Sequence, residues 1–252
     1  MNPNKTELSN EELSRYSRQI LMPEIDYSGQ LTLAQSHAVI FGLGGLGSPA
    51  SLYLAAAGIG KLTLVDFDEV DDSNLQRQIV HRELNVGQAK VASAKSNLTQ
   101  LNRLIEIATI DRKLSEEEIQ ELVISADVVL DCTDNFASRF ALNRTCHKAQ
   151  KPLISGAAIR WEGQLSTYDF RNPDSPCYQC LYSEDSGQEL TCSQNGVLSP
   201  VVGMVGSMQA IEAVKALLGL PTLTGKLMII DAYTMMIRTL NLKKDPECQH
   251  CS

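Results

Sequence analysis

Positive charge is scarce in this chain of 252 residues. Its 22 basic residues against 30 acidic ones leave a formal net charge of −8. That balance argues against a surface for nucleic-acid backbones, where phosphate contacts dominate affinity. Long apolar runs are missing as well: no uninterrupted stretch approaches the roughly 18 residues of a membrane span. Residues 1–10 are polar and lack the hydrophobic core of a secretory signal, so a cytoplasmic protein is expected. Aromatics are sparse at 5%, with one tryptophan, Trp161, and read as packing residues. The four histidines (His37, His81, His147, His250) form no ligand-like pair, although His250 falls inside a cysteine pair. There is no internal repeat and no low-complexity tract. A disulfide framework also fits poorly, because seven cysteines are an odd number in a chain of this size.

What is present is a globular balance, 43% hydrophobic and 21% charged, enough to bury a sizeable core. Residues 10–21 read as helical and carry Arg15 and Arg18. The apolar run 37–41 (HAVIF) reads as a buried strand, followed by GLGGLG and a helical SPASLYLAAAG. In that segment Ser48 is expected to cap the helix, Pro49 to open it and Gly58 to stop it. LTLV at 62–65 is a second strand, and the pair implies a right-handed parallel crossover. Helices are expected over 88–101, 115–124 and 136–149, with strands over 105–109 and 127–131 between them. Ser115 followed by Glu118 is a capping-box pattern. Such alternation predicts an α/β fold, a doubly wound, Rossmann-like and mostly parallel sheet. After Pro152 the texture changes: QLSTYDF and KLMIID read as strands, a helix is expected over 204–218, and 183–196 is polar and loop-like. One domain (1–252) is the simplest organisation. It would comprise an N-terminal helical segment (1–36), a nucleotide-binding core (37–155) and an elaborated half (156–252).

Gly42-Leu43-Gly44-Gly45-Leu46-Gly47 fits G-x-G-x-x-G between a strand and a helix, and Asp66 ends the second strand about 20 residues on. Glycines let phosphate oxygens reach main-chain N–H groups at a helix N-terminus, while the acid accepts from ribose hydroxyls. The motif predicts a nucleotide site without separating NAD from ATP. The residues that follow narrow the choice. Ser73-Asn74-Leu75-Gln76-Arg77-Gln78, then Lys90, then Asp131-Cys132-Thr133-Asp134-Asn135 put polar and charged groups at the carboxyl edge of the sheet. If a carboxylate attacks an α-phosphate, two anions meet, so cations must neutralise the triphosphate and an acid must hold magnesium. Arg77 and Lys90 meet the first need and Asp134 the second, with Asn135 as a neutral neighbour. Each has a plainer alternative: surface charge for the two cations, a helix N-cap for Asp134.

Four of the cysteines form two pairs, Cys177/Cys180 and Cys248/Cys251, each Cys-x-x-Cys beside a proline. Four thiolates make a closed tetrahedral shell for Zn2+, with no open position for water, which marks a structural site. A redox Cys-x-x-Cys needs only one pair and usually opens a helix. Cys132 and Cys146 lie in strand and helix patterns and read as small core residues.

GLGGLG, SNLQRQ and DCTDN, in this order and spacing, resemble the bacterial adenylyltransferases of the ubiquitin-activating superfamily. The likeness runs from RYSRQI (15–20) to the terminal Cys-x-x-Cys. It implies ATP-dependent attack by the C-terminal glycine carboxylate of a small ubiquitin-like sulfur carrier ending in Gly-Gly, giving an acyl-adenylate and pyrophosphate. It also implies that Gly45 and Asp66 contact the nucleotide and its ribose, and that Asn74, Arg77 and Lys90 bind phosphates. Asp134 would bind Mg2+, and Arg18 would reach the ATP of the other subunit of a homodimer. Gly42, Gly44, Ser73, Gln76 and Asn135 complete the expected cofactor site. SGAAIRWEGQ (155–164) is more similar to the molybdopterin branch than to the thiamine branch, and the thiamine carrier is the alternative substrate. An NAD-dependent oxidoreductase is the alternative of another class. Cys192, in ELTCSQNGV, matches a cysteine that in the thiamine branch takes part in sulfur or acyl transfer; otherwise it is an ordinary loop thiol. The sequence names neither the physiological carrier nor the sulfur donor.

Overall fold

A computed structural model describes residues 5–183 and 195–251. Eight strands form one sheet in the order β3-β2-β1-β4-β5-β6-β7-β8. The five strands β1 (His37–Phe41), β2 (Lys61–Val65), β3 (Glu106–Ile110), β4 (Val128–Asp131) and β5 (Pro152–Ile159) run parallel. β6 (Glu162–Asp169), β7 (Lys226–Asp231) and β8 (Met236–Asn241) add an antiparallel extension. The doubly wound, mostly parallel sheet read from the alternation is therefore present, with its elaborated C-terminal half.

Successive side chains on a strand point to opposite faces, and β1 shows what that does here. Ala38 and Ile40 enter one core with Leu62, Leu64, Val128 and Leu130. Val39 and Phe41 enter a second core with Val129, Phe140 and Tyr168. Both faces of the parallel strands are covered, which is why they read as unbroken apolar runs. Helices α3 (Asp26–Gln35), α4 (Gly47–Ala57) and α5 (Lys90–Leu101) contribute to the first core, α6 (Glu116–Ser125) and α7 (Phe136–Ala149) to the second. The expected N-terminal helix is two short ones, α1 (Asn10–Arg15) and α2 (Ser17–Ile20), separated at Tyr16.

Local signals fared unevenly. Ser115 and Glu118 form the reciprocal capping box at the start of α6, and Gly58 ends α4 with a left-handed φ of 83°. Ser48 does not cap α4: the helix begins at Gly47, directly off the glycine turn, and the Ser48 hydroxyl bonds back to the Leu43 carbonyl. Three elements were not expected. They are α3, β5, whose small residues (SGAA) hide it, and β8, whose residues are all exposed at the sheet edge.

The helix expected over 204–218 begins five residues earlier, as α8 (Ser199–Leu218), with a proline in its first turn. It is long and apolar enough to cross a membrane by length and composition alone. The search for uninterrupted apolar runs passed over it because Glu212 and Lys215 break the run. Here it packs against β4, β5, β6 and α4. Its buried polar groups are satisfied. Gln209 Nε2 donates to the Asp131 carbonyl (2.7 Å) and the Ile154 carbonyl (3.2 Å), and Glu212 accepts from Thr167 Oγ1 (2.6 Å) and Leu223 N (2.6 Å). Gln209→Ala is expected to lower unfolding free energy by about 1–3 kcal/mol, because buried carbonyls lose their donor. Urea unfolding with an unchanged m-value checks this.

Candidate active site and metal centre

The parallel strand order reverses at β1, with β2 on one side and β4 on the other. Open α/β sheets bind ligands in the crevice at that point, beyond the carboxyl ends of the strands. There the structure has a cavity of about 870 Å3, within the range of small-molecule sites. Its walls bring together Gly42, Gly44, Gly45, Asp66, Arg77, Lys90, Asp134 and Asn135.

The turn needs its glycines at two positions. Gly42 has φ +88°, and a Cβ there would meet the Cys132 carbonyl oxygen at 2.7 Å. A Cβ on Gly47 would overlap the Gly42 carbonyl oxygen. The turn is thus folded on itself and pressed against the exit of β4. Asp66 fastens it from the other side, since its carboxylate accepts from Leu43 N (2.6 Å) and Asp68 N (2.9 Å). Burial pushes the Asp66 carboxyl above its usual range, opposed by those two N–H bonds and the Lys90 ammonium. Behind the turn, buried His81 bridges Ser93 Oγ (2.8 Å) and the Leu43 carbonyl (3.2 Å). An imidazole that donates to a carbonyl through Nε2 and accepts from a hydroxyl through Nδ1 is neutral. Burial accordingly lowers its pKa to about 4.

Lys90, at the first position of α5, is almost wholly buried, and its Nζ lies 2.9 Å from Asp68 Oδ2. Half-buried Arg77 donates to the Ser73 carbonyl (3.2 Å), which orients the guanidinium along its own turn. The end of β4 supplies the acid. Asn135, not Asp134, caps α7, accepting from Ser138 N at 2.8 Å. That removes the plainer role weighed for Asp134, which stands exposed in the cavity wall.

Other expected residues lie elsewhere. Ser73, Asn74 and Gln76 are not among the lining residues. Ser73 bonds to Asp71, Asn74 closes the Asp71 cap, and Gln76 accepts from Ser199 Oγ (2.8 Å), tying this segment to the start of α8. Arg18 is exposed on α2 and does not line this cavity. Cys192 lies outside the described residues. Cavity residues given no role from sequence include Phe67, Arg112, Lys113, Arg139 and Gln78, the last placed at the sheet edge only as part of SNLQRQ. Arg139 carried a sequence signal: it sits one turn beyond the Asn135 cap on α7, and its Nη2 donates to the Thr133 carbonyl (2.8 Å).

Beyond Tyr178, which lines the cavity, the four paired cysteines converge. Sγ–Sγ separations are 3.4 Å (Cys180–Cys251), 3.7 Å (Cys177–Cys248) and 3.9 Å (Cys177–Cys180), and all four sulfurs lie within 4.8 Å of one another. Disulfides would bring sulfurs to about 2.05 Å, whereas a tetrahedron with Zn–S near 2.3 Å has edges of about 3.8 Å. Backbone N–H groups of Cys177 and Asp245 each point at Cys180 Sγ (3.4 Å). Burial pushes the Cys177 thiol up to about 11, so holding four thiolates here calls for a cation. The cluster fits a tetrahedral soft metal such as zinc. Cys132 and Cys146 are buried, as expected.

A doubly wound sheet with a glycine-rich turn at its switch point, an acid beyond the second strand and a four-cysteine cluster defines the class. The chain belongs to the ThiF family, whose model matches residues 16–250. It is similar to the molybdopterin-synthase adenylyltransferase of Escherichia coli strain K12, at 46% identity over 97% of this chain and 98% of that protein. The enzyme of the same name from Haemophilus influenzae is 48% identical over 96% of this chain and 99% of its own. The adenylyltransferase and sulfurtransferase MOCS3 of Drosophila ananassae is 44% identical over 98% of this chain, which spans 55% of that protein. Among solved structures, E. coli MccB with ATP superposes with a TM-score of 0.81 at 24% identity, over 97% of this chain and 76% of that one, a likeness of fold.

Two outcomes are expected. Purified protein carries about one zinc per chain, and Cys248→Ser loses it together with several degrees of melting temperature; metal analysis and thermal unfolding check both. Stability also falls with acid. His81 is held neutral when folded, down to about 4, and burial likewise lowers His37. Both are neutral in folded and unfolded chains above about pH 6.5, so their contribution is whole there. It is lost as pH falls from about 6.5 toward 4, where only the unfolded chain takes up the protons. Denaturant midpoints measured across that window should fall, and a flat profile would contradict the assignment.

Proposed function

We propose that this protein is an ATP-dependent adenylyltransferase that activates the C-terminal glycine carboxylate of a small ubiquitin-like carrier protein. The observation that carries the reading is the meeting of Arg77, Lys90 and Asp134 with the glycine turn and Asp66 around one cavity. In the reaction, a carboxylate oxygen of the carrier forms a bond to the α-phosphorus of ATP. The bond from that phosphorus to the bridging oxygen breaks, and its electron pair leaves with pyrophosphate. The glycine turn and the start of α4 receive phosphate oxygens, and Asp66 the ribose hydroxyls. Arg77 and Lys90 offset the charge of the triphosphate as the second anion approaches. Asp134 would hold Mg2+, which supplies charge neutralisation across the phosphates.

The names of the relatives support molybdopterin synthase as the pathway served, by way of its small subunit, over the thiamine carrier. Residues 156–252 would form the carrier-binding and zinc-containing half, beside a nucleotide-binding core at 37–155. The working form would be a cytoplasmic homodimer in which Arg18 of each subunit serves the other's ATP. An oxidoreductase reading has less to support it, because a non-reacting pyrophosphate needs no such set of cations and acid.

With the cognate carrier and magnesium, wild-type protein should exchange pyrophosphate into ATP. Asp134→Ala should reduce that exchange at least about 100-fold while keeping fold and zinc. Undiminished exchange in the variant would remove Asp134 from the mechanism, and stronger thermal stabilisation by NAD than by ATP would overturn the reading itself.

A further inference from the structure

Gln78 played no part in the expected site, yet the structure gives it an unusual position. It follows Arg77 in SNLQRQ, is 4% exposed, and lines the nucleotide cavity. Its backbone is locked in the turn, with N–H donating to the Asn74 carbonyl (2.9 Å) and carbonyl accepting from His81 N (3.0 Å). Its side chain makes no hydrogen bond to any described residue, and Oε1 is sealed from solvent. The other end of the amide is different. Nε2 is not sealed, it donates to no described residue, and it lies beside Gly44, 3.7 Å from where a Cβ on that glycine would be.

We infer that Gln78 is a further nucleotide-binding residue, whose Nε2–H2 group donates to a phosphate oxygen held over the Gly44 segment of the turn. The inference rests on the nucleotide reading of this cavity and assigns a group within it. Two facts select a phosphate over ribose or base. Gly44 is the second glycine of the turn, the one that lets the backbone approach phosphate, and the ribose acid, Asp66, holds the turn from the β2 side. A neutral amide there complements Arg77 and Lys90 without adding charge. Gln76, the glutamine that sequence pattern favoured, is engaged by Ser199 instead. The two glutamines flanking Arg77 divide the work: Gln76 ties the loop down and Gln78 faces the ligand.

The test is calorimetric binding of ATP, AMP and adenosine to full-length protein, for wild type, Gln78→Leu and Gln78→Glu. Gln78→Leu should weaken ATP about 10- to 100-fold, the worth of a hydrogen bond to a charged group, and leave adenosine unchanged. Adenosine binding doubles as the folding control. Gln78→Glu keeps the shape, so it reports even if the leucine variant fails to fold. Its ATP affinity should fall as pH rises through the new carboxyl's pKa, since only the protonated acid donates; wild type lacks that step. Equal loss of ATP and adenosine would mean a structural role and overturn the inference, as would unchanged ATP affinity in Gln78→Leu. Wild type that binds ATP but exchanges no pyrophosphate would defeat the adenylation reading alone, leaving Gln78 to stand or fall on the binding data.

Discussion

Everything at the cavity depends on how closely two chain reversals approach at the ends of neighbouring strands. β1 and β4 run side by side and leave the sheet together, so the glycine turn after one is pressed against residues 132–133 after the other. Backbone meets backbone there with no room for a Cβ, and the turn and Asp134 share the wall of one cavity. A side chain at Gly42 would push apart the halves of the site, and one at Gly47 would break the turn's own fold. Buried groups reinforce the contact from behind: Gln209 on α8 grips the Asp131 carbonyl, while the Asp131 carboxylate gathers Thr133 N, Thr133 Oγ1 and Ser155 Oγ.

The parallel half of the fold was legible because its strands are buried on both faces. Continuous apolar runs such as HAVIF and DVVLD carry a strong signal between glycine, capping and helical patterns. β5 was not legible, since glycine and alanines replace bulky residues where Gln209 packs on its surface; a Cβ on Gly156 would collide with that side chain at 2.6 Å. β8 escaped for the opposite reason. As the outermost strand it is exposed along its length and carries no alternation for a periodicity argument to detect.

At the site, groups named for their charge or for backbone geometry were easier to read than groups whose role depends on direction. Arg77, Lys90, Asp66 and the four paired cysteines belong to patterns that chemistry alone makes suspicious. Neutral side chains could not be sorted in the same way. Asn135 and Asp134 are neighbours, and only the helix geometry shows which one turns inward to cap α7. Gln76 and Gln78 are identical in type and two positions apart, but the tight turn sends one toward α8 and the other toward the cavity. The cysteine cluster was legible in composition, whereas its setting was not. The tail carrying Cys248 and Cys251 returns past the sheet edge to settle on Tyr178 and α7, the helix that begins beside Asp134.

The Lys90–Asp68 contact gives the buried ammonium in the cavity wall a partner from within the protein. An incoming anion therefore does not meet a bare ammonium; it has to out-compete a carboxylate already seated 2.9 Å away. Asp68 is more than half exposed, while Lys90 is enclosed. Of the two partners, the carboxylate faces water and the ammonium faces the interior. Displacing the carboxylate is offset only by an anion of high charge density, because a buried ammonium left without a partner is costly.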